Sequence, residues 1–331
     1  MSATRSLVYA PNWVGDTVMA LPVLAALAAA GRAVDVLARP HLVPLVGLAA
    51  GAAGALSRGD DRTTLAAMRA GGYDEAVLLP NSFRSAWLAR RAGIPRRFGY
   101  RGGFRGPLLA PAVPRAGGAV RHQTADYAEL LAAMGVPSPE DWTPRLALGA
   151  TERERGRQLL ARAGIDPAAG PVVGVFPGAE FGASKRWPRE HFADAMRELR
   201  RRHRDLQLSI LAGPKEVWLA VRLHEETGKI HPVIGPDLDL GELAAVLAAH
   251  RALLTNDSGP MHLAAALGVH CAALFGPTDP ARTAPSGAGH EVLYGHRWCS
   301  PCFRRRCPLG HHRCMTDLPA TAAVAAVEAG L

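Results

Sequence analysis

Three short stretches join a carboxylate, a hydroxyl or a cation to glycine in ways that can do chemistry. In Thr255-Asn256-Asp257-Ser258-Gly259-Pro260-Met261-His262, Pro260 falls where the first turn of a helix tolerates a missing N–H. Ser258, Gly259 and the helix N-terminus behind them would offer backbone N–H groups and a positive dipole end to an anion such as a diphosphate. Asp257 could accept hydrogen bonds from sugar hydroxyls, and His262 stands one turn into the helix. A plain capped helix start explains the same string, because Asp and Ser are favoured caps.

In Asn12-Trp13-Val14-Gly15-Asp16, Gly15 permits a tight turn and the close approach of a ligand. Asp16, at a helix N-terminus, could act as general base toward a hydroxyl nucleophile or simply cap its helix. In Phe176-Pro177-Gly178-Ala179-Glu180-Phe181-Gly182-Ala183-Ser184-Lys185-Arg186-Trp187-Pro188, two glycines, Ser184 and Lys185 after an apolar run suit phosphate binding. An exposed turn with a solvated lysine is the competing account. The turn Ala212-Gly213-Pro214-Lys215-Glu216 could bracket a nucleotide, or lie on the surface. Neither G-x-x-x-x-G-K-[ST] nor G-x-G-x-x-G occurs.

The elements around these loops are strands alternating with helices. Leu7-Val8-Tyr9-Ala10, residues 33–38 and 75–80 are strand candidates in the first half; residues 18–30, 40–50, 61–70, 82–92 and 125–134 are helical candidates. A charged helix over 151–163 opens on a Thr-x-x-Glu capping box, Thr151 to Glu154. Residues 164–171, rich in Gly, Pro and Ala, have the composition of a linker. Strands are expected again at 172–176, 207–212, 251–255 and 271–275, with helices at 189–202, 215–227, 240–250, 260–267 and 317–329. The pattern predicts βαβ units and mainly parallel sheets. In such sheets ligands sit at the carboxyl ends of strands, where all these loops fall. Two domains are expected, 1–168 and 169–331, facing across a cleft.

Composition narrows the function classes. A chain with 48% hydrophobic and 20% charged residues is globular rather than disordered. The first apolar run is too short for a signal peptide, and no stretch of about 18 uncharged apolar residues suggests a membrane span. A cytoplasmic protein is expected, with its five cysteines reduced or metal-bound rather than paired. The net charge of +9 calls for an acidic partner. Between residues 76 and 125 there is no Asp or Glu, yet nine arginines, including Arg97, Arg101 and Arg105. Arg suits bidentate binding of carboxylate and phosphate, so a nucleic acid or an anionic lipid head group would fit; so would the basic bias of a GC-rich genome.

The three loops, followed by Phe275-Gly276-Pro277-Thr278-Asp279-Pro280 and Cys299-Ser300-Pro301-Cys302, occur in an order that resembles the ADP-heptose:lipopolysaccharide heptosyltransferases of glycosyltransferase family 9. The Gly-Ala-Glu-Phe-Gly and cysteine segments are most similar to the heptosyltransferase II branch, and the likeness runs from Leu7 to about Leu318. The resemblance implies a GT-B fold, two Rossmann-like α/β/α domains, and inverting transfer without a metal or other cofactor. It implies Asp16 as general base and Lys185, with Ser184, as neutralising the donor diphosphate. It implies Asp257, Ser258, Gly259 and His262 as the donor motif, and Glu216 as a nucleoside contact, with the register there uncertain by one residue. The acceptor implied is a Kdo-containing lipid A core, whose carboxylates and phosphates would meet Arg97, Arg101 and Arg105 better than nucleic acid would. A lipid-anchored acceptor implies peripheral attachment to the cytoplasmic face of the inner membrane, and the final helix is expected to pack back on the N-terminal domain.

Rival accounts remain at this level. One is the enzyme that adds the first heptose directly to Kdo; another is a GT-B-fold nucleotide-sugar epimerase. A third is a nucleic-acid-binding protein using Cys299-x2-Cys302-x4-Cys307-x6-Cys314 with Arg304, Arg305, Arg306 and Arg313. That spacing could hold zinc or a cluster, but it is not a standard finger, and packed free thiols are the preferred account. Asp237-Leu238-Asp239, a superficial D-x-D, is expected to cap a helix.

Overall fold

The computed structural model describes residues 3–115, 117 and 120–331. Met1 and Ser2, the start of the stretch weighed as a signal peptide, lie outside the described residues. Two compact units divide the chain, Met1–Ala147 and Leu148–Leu331.

The first unit is built on β1 (Arg5–Tyr9), β2 (Ala33–Ala38), β3 (Gly54–Ser57), β4 (Glu75–Leu78), β5 (Arg96–Tyr100) and β6 (Ala112–Val113). They form one parallel sheet in the order β3-β2-β1-β4-β5-β6. The second unit uses β7 (Val172–Phe176), β8 (Gln207–Leu211), β9 (Val233–Ile234), β10 (Ala252–Asn256), β11 (His270–Phe275) and β12 (Glu291–Tyr294). Its order, β12-β11-β10-β7-β8-β9, is the same topology taken from the other edge. Chain direction across the sheet reverses between β1 and β4, and again between β7 and β10. Ligands of doubly wound sheets bind outside such switch points. The loop carrying Asp16 follows β1, and the loops carrying Lys185 and Asp257 follow β7 and β10.

The central strands form because apolar residues fill most of their positions, and the polar Thr255 and Asn256 at the end of β10 are hydrogen-bonded where they are buried. Every residue of β7 and β10 is buried, as expected for parallel strands with helices on both faces. The helix Arg189–Arg202 turns Phe192, Met196 and Leu199 onto the second sheet, beside Val324 and Val327 of the final helix Ala320–Glu328. That final helix packs against the helix Arg189–Arg202 and strands β10 to β12, within the second unit. This is a different place from the expected return to the first unit.

The unit boundary, between Ala147 and Leu148, falls before the Gly-Pro-rich stretch 164–171 taken as a linker. The helix Ala150–Arg162 packs on the helix Leu240–Leu247 of the second unit, and Gly156 makes that approach possible. A Cβ at Gly156 would lie 2.1 Å from the carbonyl oxygen of Ala245. The expected capping box is absent too. Gly149 is the N-cap and makes no side-chain capping bond, so Thr151 lies inside the helix. Asp239, by contrast, forms a full capping box with Glu242, which accounts for the D-x-D string without any metal.

Two buried histidines make the second unit sensitive to acid. His250 is held neutral by burial, which lowers it to about 4; its Nδ1 lies 2.9 Å from the Val246 carbonyl and its Nε2 2.8 Å from the Ser209 hydroxyl. His231 is likewise lowered to about 4, by burial first and then by Arg200 and His224. Both folded values lie below the ordinary 6.5, so the unfolded chain takes up protons first as pH falls. Their contribution to stability is whole above 6.5 and is lost progressively toward pH 4. Thermal melts should therefore show a falling midpoint across this window, and a flat profile would contradict the neutral assignment.

Candidate functional site

In the first unit, Asp16 lies in the first turn of the helix Val14–Met19, but it is not the cap: Trp13 holds that position. A negative charge in the first turn is favoured by the helix dipole. Gln123 Nε2 donates to Asp16 Oδ1 at 3.0 Å, and Asp16 adds to burial in raising the Tyr127 phenol above its ordinary range. The preceding loop is pinned by arginines from the ends of β2 and β3. Arg39 Nε and Arg58 Nη2 donate to Asn12 Oδ1 at 3.1 and 2.5 Å. Asp16 thus sits as a half-buried carboxylate on a braced loop, oriented by an amide.

The second unit gathers the other reactive groups. Asp257 follows β10, is 4% exposed, and receives two donors on one oxygen. Lys185 Nζ lies 2.5 Å from Oδ2, and Thr278 Oγ1 donates to the same atom at 2.6 Å. Lys185 also stands over the Phe181 ring, 4.9 Å from its centroid. Asn256 locks the two loops together: its Nδ2 donates to the carbonyls of Pro177 and Gly178 at 2.9 and 3.2 Å, and its Oδ1 accepts from Trp187 N at 2.9 Å. Ser258 is the N-cap of the helix Gly259–Ala266 but makes no capping bond to it. Its hydroxyl faces Thr255 Oγ1 at 3.1 Å instead. Ser258 thus holds the N-cap position without capping through its side chain, and amides at a helix N-terminus are the kind that bind anions. His262 is buried within the same helix.

Glu216 is buried and tied to the same loop. Its Oε1 accepts from Ala179 N and from Arg186 Nη2, both at 2.8 Å. Gly178 is required there, since a Cβ would fall 2.4 Å from Glu216 Oε2. Lys215 turns outward to an exposed pair with Glu180. Ser184 is placed differently from a phosphate ligand. Its hydroxyl donates to the Arg304 carbonyl, its N–H donates to the Arg305 carbonyl at 3.2 Å, and its own carbonyl meets His312 Nε2 at 2.8 Å. Ser184 ties the lysine loop to the cysteine segment.

That segment brings its four thiols together. Cys299, Cys302, Cys307 and Cys314 line one cavity with His311 and His312, and all five cysteines are free. Burial raises Cys314, with Cys302, Cys299 and Cys307 adding to the shift. Burial opposes the Cys307 thiolate, but main-chain N–H groups from His312, Leu309, Gly310 and His311 outweigh it and lower that thiol. Among the described residues, no group of three or more His, Cys, Asp or Glu is placed to hold a metal ion.

The expected acceptor arginines separate sharply. Arg105 is fully buried; its Nε donates to the Tyr100 carbonyl at 2.9 Å, and its Nη1 to the Pro80 carbonyl. A guanidinium so engaged is scaffold, and the expectation that Arg105 meets a ligand is overturned. Arg97 is spent similarly, on the carbonyls of Leu108 at 2.7 Å, Ile94 at 2.5 Å and Pro95 at 2.9 Å. Arg101 is exposed. Four contributors carried no expected role: Gln123, Asn256, Thr278 and Arg186. Asn256 and Thr278 lie inside the strings already singled out, whereas the long separation of Gln123 from Asp16 left no local signal.

The chain as a whole is similar to known proteins. A family model described as glycosyltransferase family 9 (heptosyltransferase) matches residues 62–313. The chain is 34% identical over 310 residues to the lipopolysaccharide heptosyltransferase 2 of Salmonella typhimurium, covering 87% of each protein. It superposes on the structure of E. coli ADP-heptose lps heptosyltransferase II with a TM-score of 0.83 at 28% identity, covering 98% of both chains. A family 9 glycosyl transferase from Veillonella parvula gives 0.85 at 20% identity, covering 99% of this chain and 98% of that one, a likeness of fold. The two parallel sheets are those of a GT-B protein, and the chain belongs to glycosyltransferase family 9, the heptosyltransferases.

Proposed function

We propose that this protein transfers L-glycero-D-manno-heptose from ADP-heptose onto the first heptose of the Kdo-containing lipid A inner core, with inversion. The observation that carries the reading is the buried Asp257 bound by Lys185 and Thr278 beside a helix terminus whose Ser258 makes no capping bond. Donor diphosphate would draw Lys185 from Asp257, and Asp257 would turn to heptose hydroxyls. Glu216 would contact the nucleoside, with Gly259 and His262 completing the donor wall.

The acceptor hydroxyl, held by the first unit, attacks the anomeric carbon while Asp16 takes its proton. The bond from that carbon to the diphosphate oxygen breaks, and its electron pair leaves with ADP. Lys185 and the amides at Gly259 stabilise the charge that develops there; no cofactor is called for. The acceptor is lipid-anchored, so the protein works at the cytoplasmic face of the inner membrane, attached peripherally. No helix among the described residues is long and apolar enough to cross a membrane.

The deciding experiment measures heptose transfer onto Kdo2-lipid A with and without a first heptose. Transfer only onto the heptosylated acceptor supports the reading. Transfer onto the unheptosylated one would make this the enzyme of the first step, and transfer onto neither would sink the proposal.

A further inference from the structure

Arg105 failed as a ligand contact, but what it supports is informative. Its buried guanidinium ties the carboxyl end of β4 to that of β5, through the carbonyls of Leu78, Pro80 and Tyr100. The chain just before it, Gly102, Gly103 and Phe104, has positive φ throughout, at 145°, 51° and 57°. A left-handed conformation is an outlier for a bulky residue such as Phe. Phe104 is nevertheless held there, and it is 96% exposed. The molecule bears both backbone strain and an apolar ring in water at one point.

Phe104 has company. Trp13 and Phe83, 43% and 50% exposed, stand like Phe104 within five residues of a strand's carboxyl end, those of β1, β4 and β5. These three strands are neighbours in the sheet. Single exposed apolar side chains need no explanation, but a row of large aromatics along one sheet edge does. Exposed arginines stand among them. Arg101 follows β5, Arg39 follows β2, and Arg84, which shares its charge with Asp61, adjoins Phe83. The whole span 76–125 has no acidic residue.

We infer that the carboxyl edge of the first sheet is a bilayer-docking surface, in which Phe83 and Phe104 enter the interface of an anionic membrane while Arg101 and its neighbours meet the head groups. Aromatic rings favour the level of lipid head groups, and each basic residue near an anionic leaflet adds attraction that salt screens. A protein partner would need an acidic, apolar counterpart; a leaflet of anionic lipid supplies both properties together. The inference rests on the reading of a lipid-anchored acceptor and places the membrane at the same sheet edge as Asp16.

The test is co-sedimentation of the full chain with phosphatidylcholine vesicles containing or lacking phosphatidylglycerol, at low and high salt. The parent protein should bind the phosphatidylglycerol vesicles at low salt. The Phe83→Ala/Phe104→Ala variant should partition about tenfold or more weakly, while its transfer onto a deacylated, soluble acceptor stays at the parental rate. Phe104→Ala alone, at a side chain almost wholly in water, repeats the test should the double variant misfold. Unchanged partitioning of either folded variant would overturn the inference, as would a parent that ignores anionic vesicles. Failure of the parent to transfer heptose to any acceptor would instead count against the proposed function, and it reads out separately.

Discussion

Asp16→Asn is expected to lower kcat by about 10²–10⁴-fold, the range supplied by a positioned general base, while ADP-heptose binds as before. Asparagine keeps the shape and an oxygen that can accept the bond now made by Gln123 Nε2, but it cannot take up the proton of an attacking hydroxyl. Donor affinity should be spared because Lys185, Asp257 and Thr278 all belong to the second unit. Steady-state transfer kinetics together with calorimetric titration of the donor check both halves. Activity within a few-fold of the parent would show that the base lies elsewhere. Gln123→Ala should have a smaller effect, and that effect should appear in kcat rather than in donor KM, as befits a positioning residue.

Lys185→Ala should cost about 10²–10³-fold in kcat/KM, the scale of losing one preorganised donor to developing charge. It should also cost up to about 3 kcal/mol of stability, since Asp257 would be left buried with its cation removed. These two losses can be separated. In Lys185→Ala/Asp257→Ala the unpaired carboxylate is gone, so thermal stability should recover while activity does not. Were both to recover, the lysine would be a structural partner of Asp257 and nothing more. Lys185→Arg keeps the charge and should regain part of the rate, limited because a planar guanidinium cannot occupy an ammonium site bonded at 2.5 Å.

The inner strands were legible because apolar residues dominate them; residues 33–38 form β2 where expected, Asp35 notwithstanding. The strands missed were β3, β5, β6, β9 and β12, which lie toward or at the margins of their sheets. All are partly exposed, β3, β6, β9 and β12 are short, and β5 opens on two arginines, so neither periodicity nor apolarity marks them. The loops bearing Asp16, Lys185 and Asp257 were legible as strand-to-helix turns with chemistry-bearing residues. Arginine roles were not. Arg105 is buried by carbonyls from around β4 and β5, and only the completed fold reveals that it is scaffold while Arg101, four residues earlier, is in water. The unit boundary was misplaced for a similar reason. Gly156 carries no mark in the sequence of its contact with Ala245, whereas the Gly-Pro composition of 164–171 looks like a linker whether or not units meet there.

Irregular loops ordinarily absorb insertions without penalty, because few of their backbone groups are committed. The cysteine segment is an exception. Through Ser184 it shares three hydrogen bonds with the turn that ends in Lys185, and Gly182 has no room for a Cβ, which would lie 2.4 Å from the Arg305 carbonyl. A residue added or removed between Arg304 and His312 would shift the register of those bonds and drag the lysine with them. Length, more than composition, is therefore the property of this loop under constraint. A loop exchanged with a relative's should be tolerated where its residue count is kept and harmful where it is not.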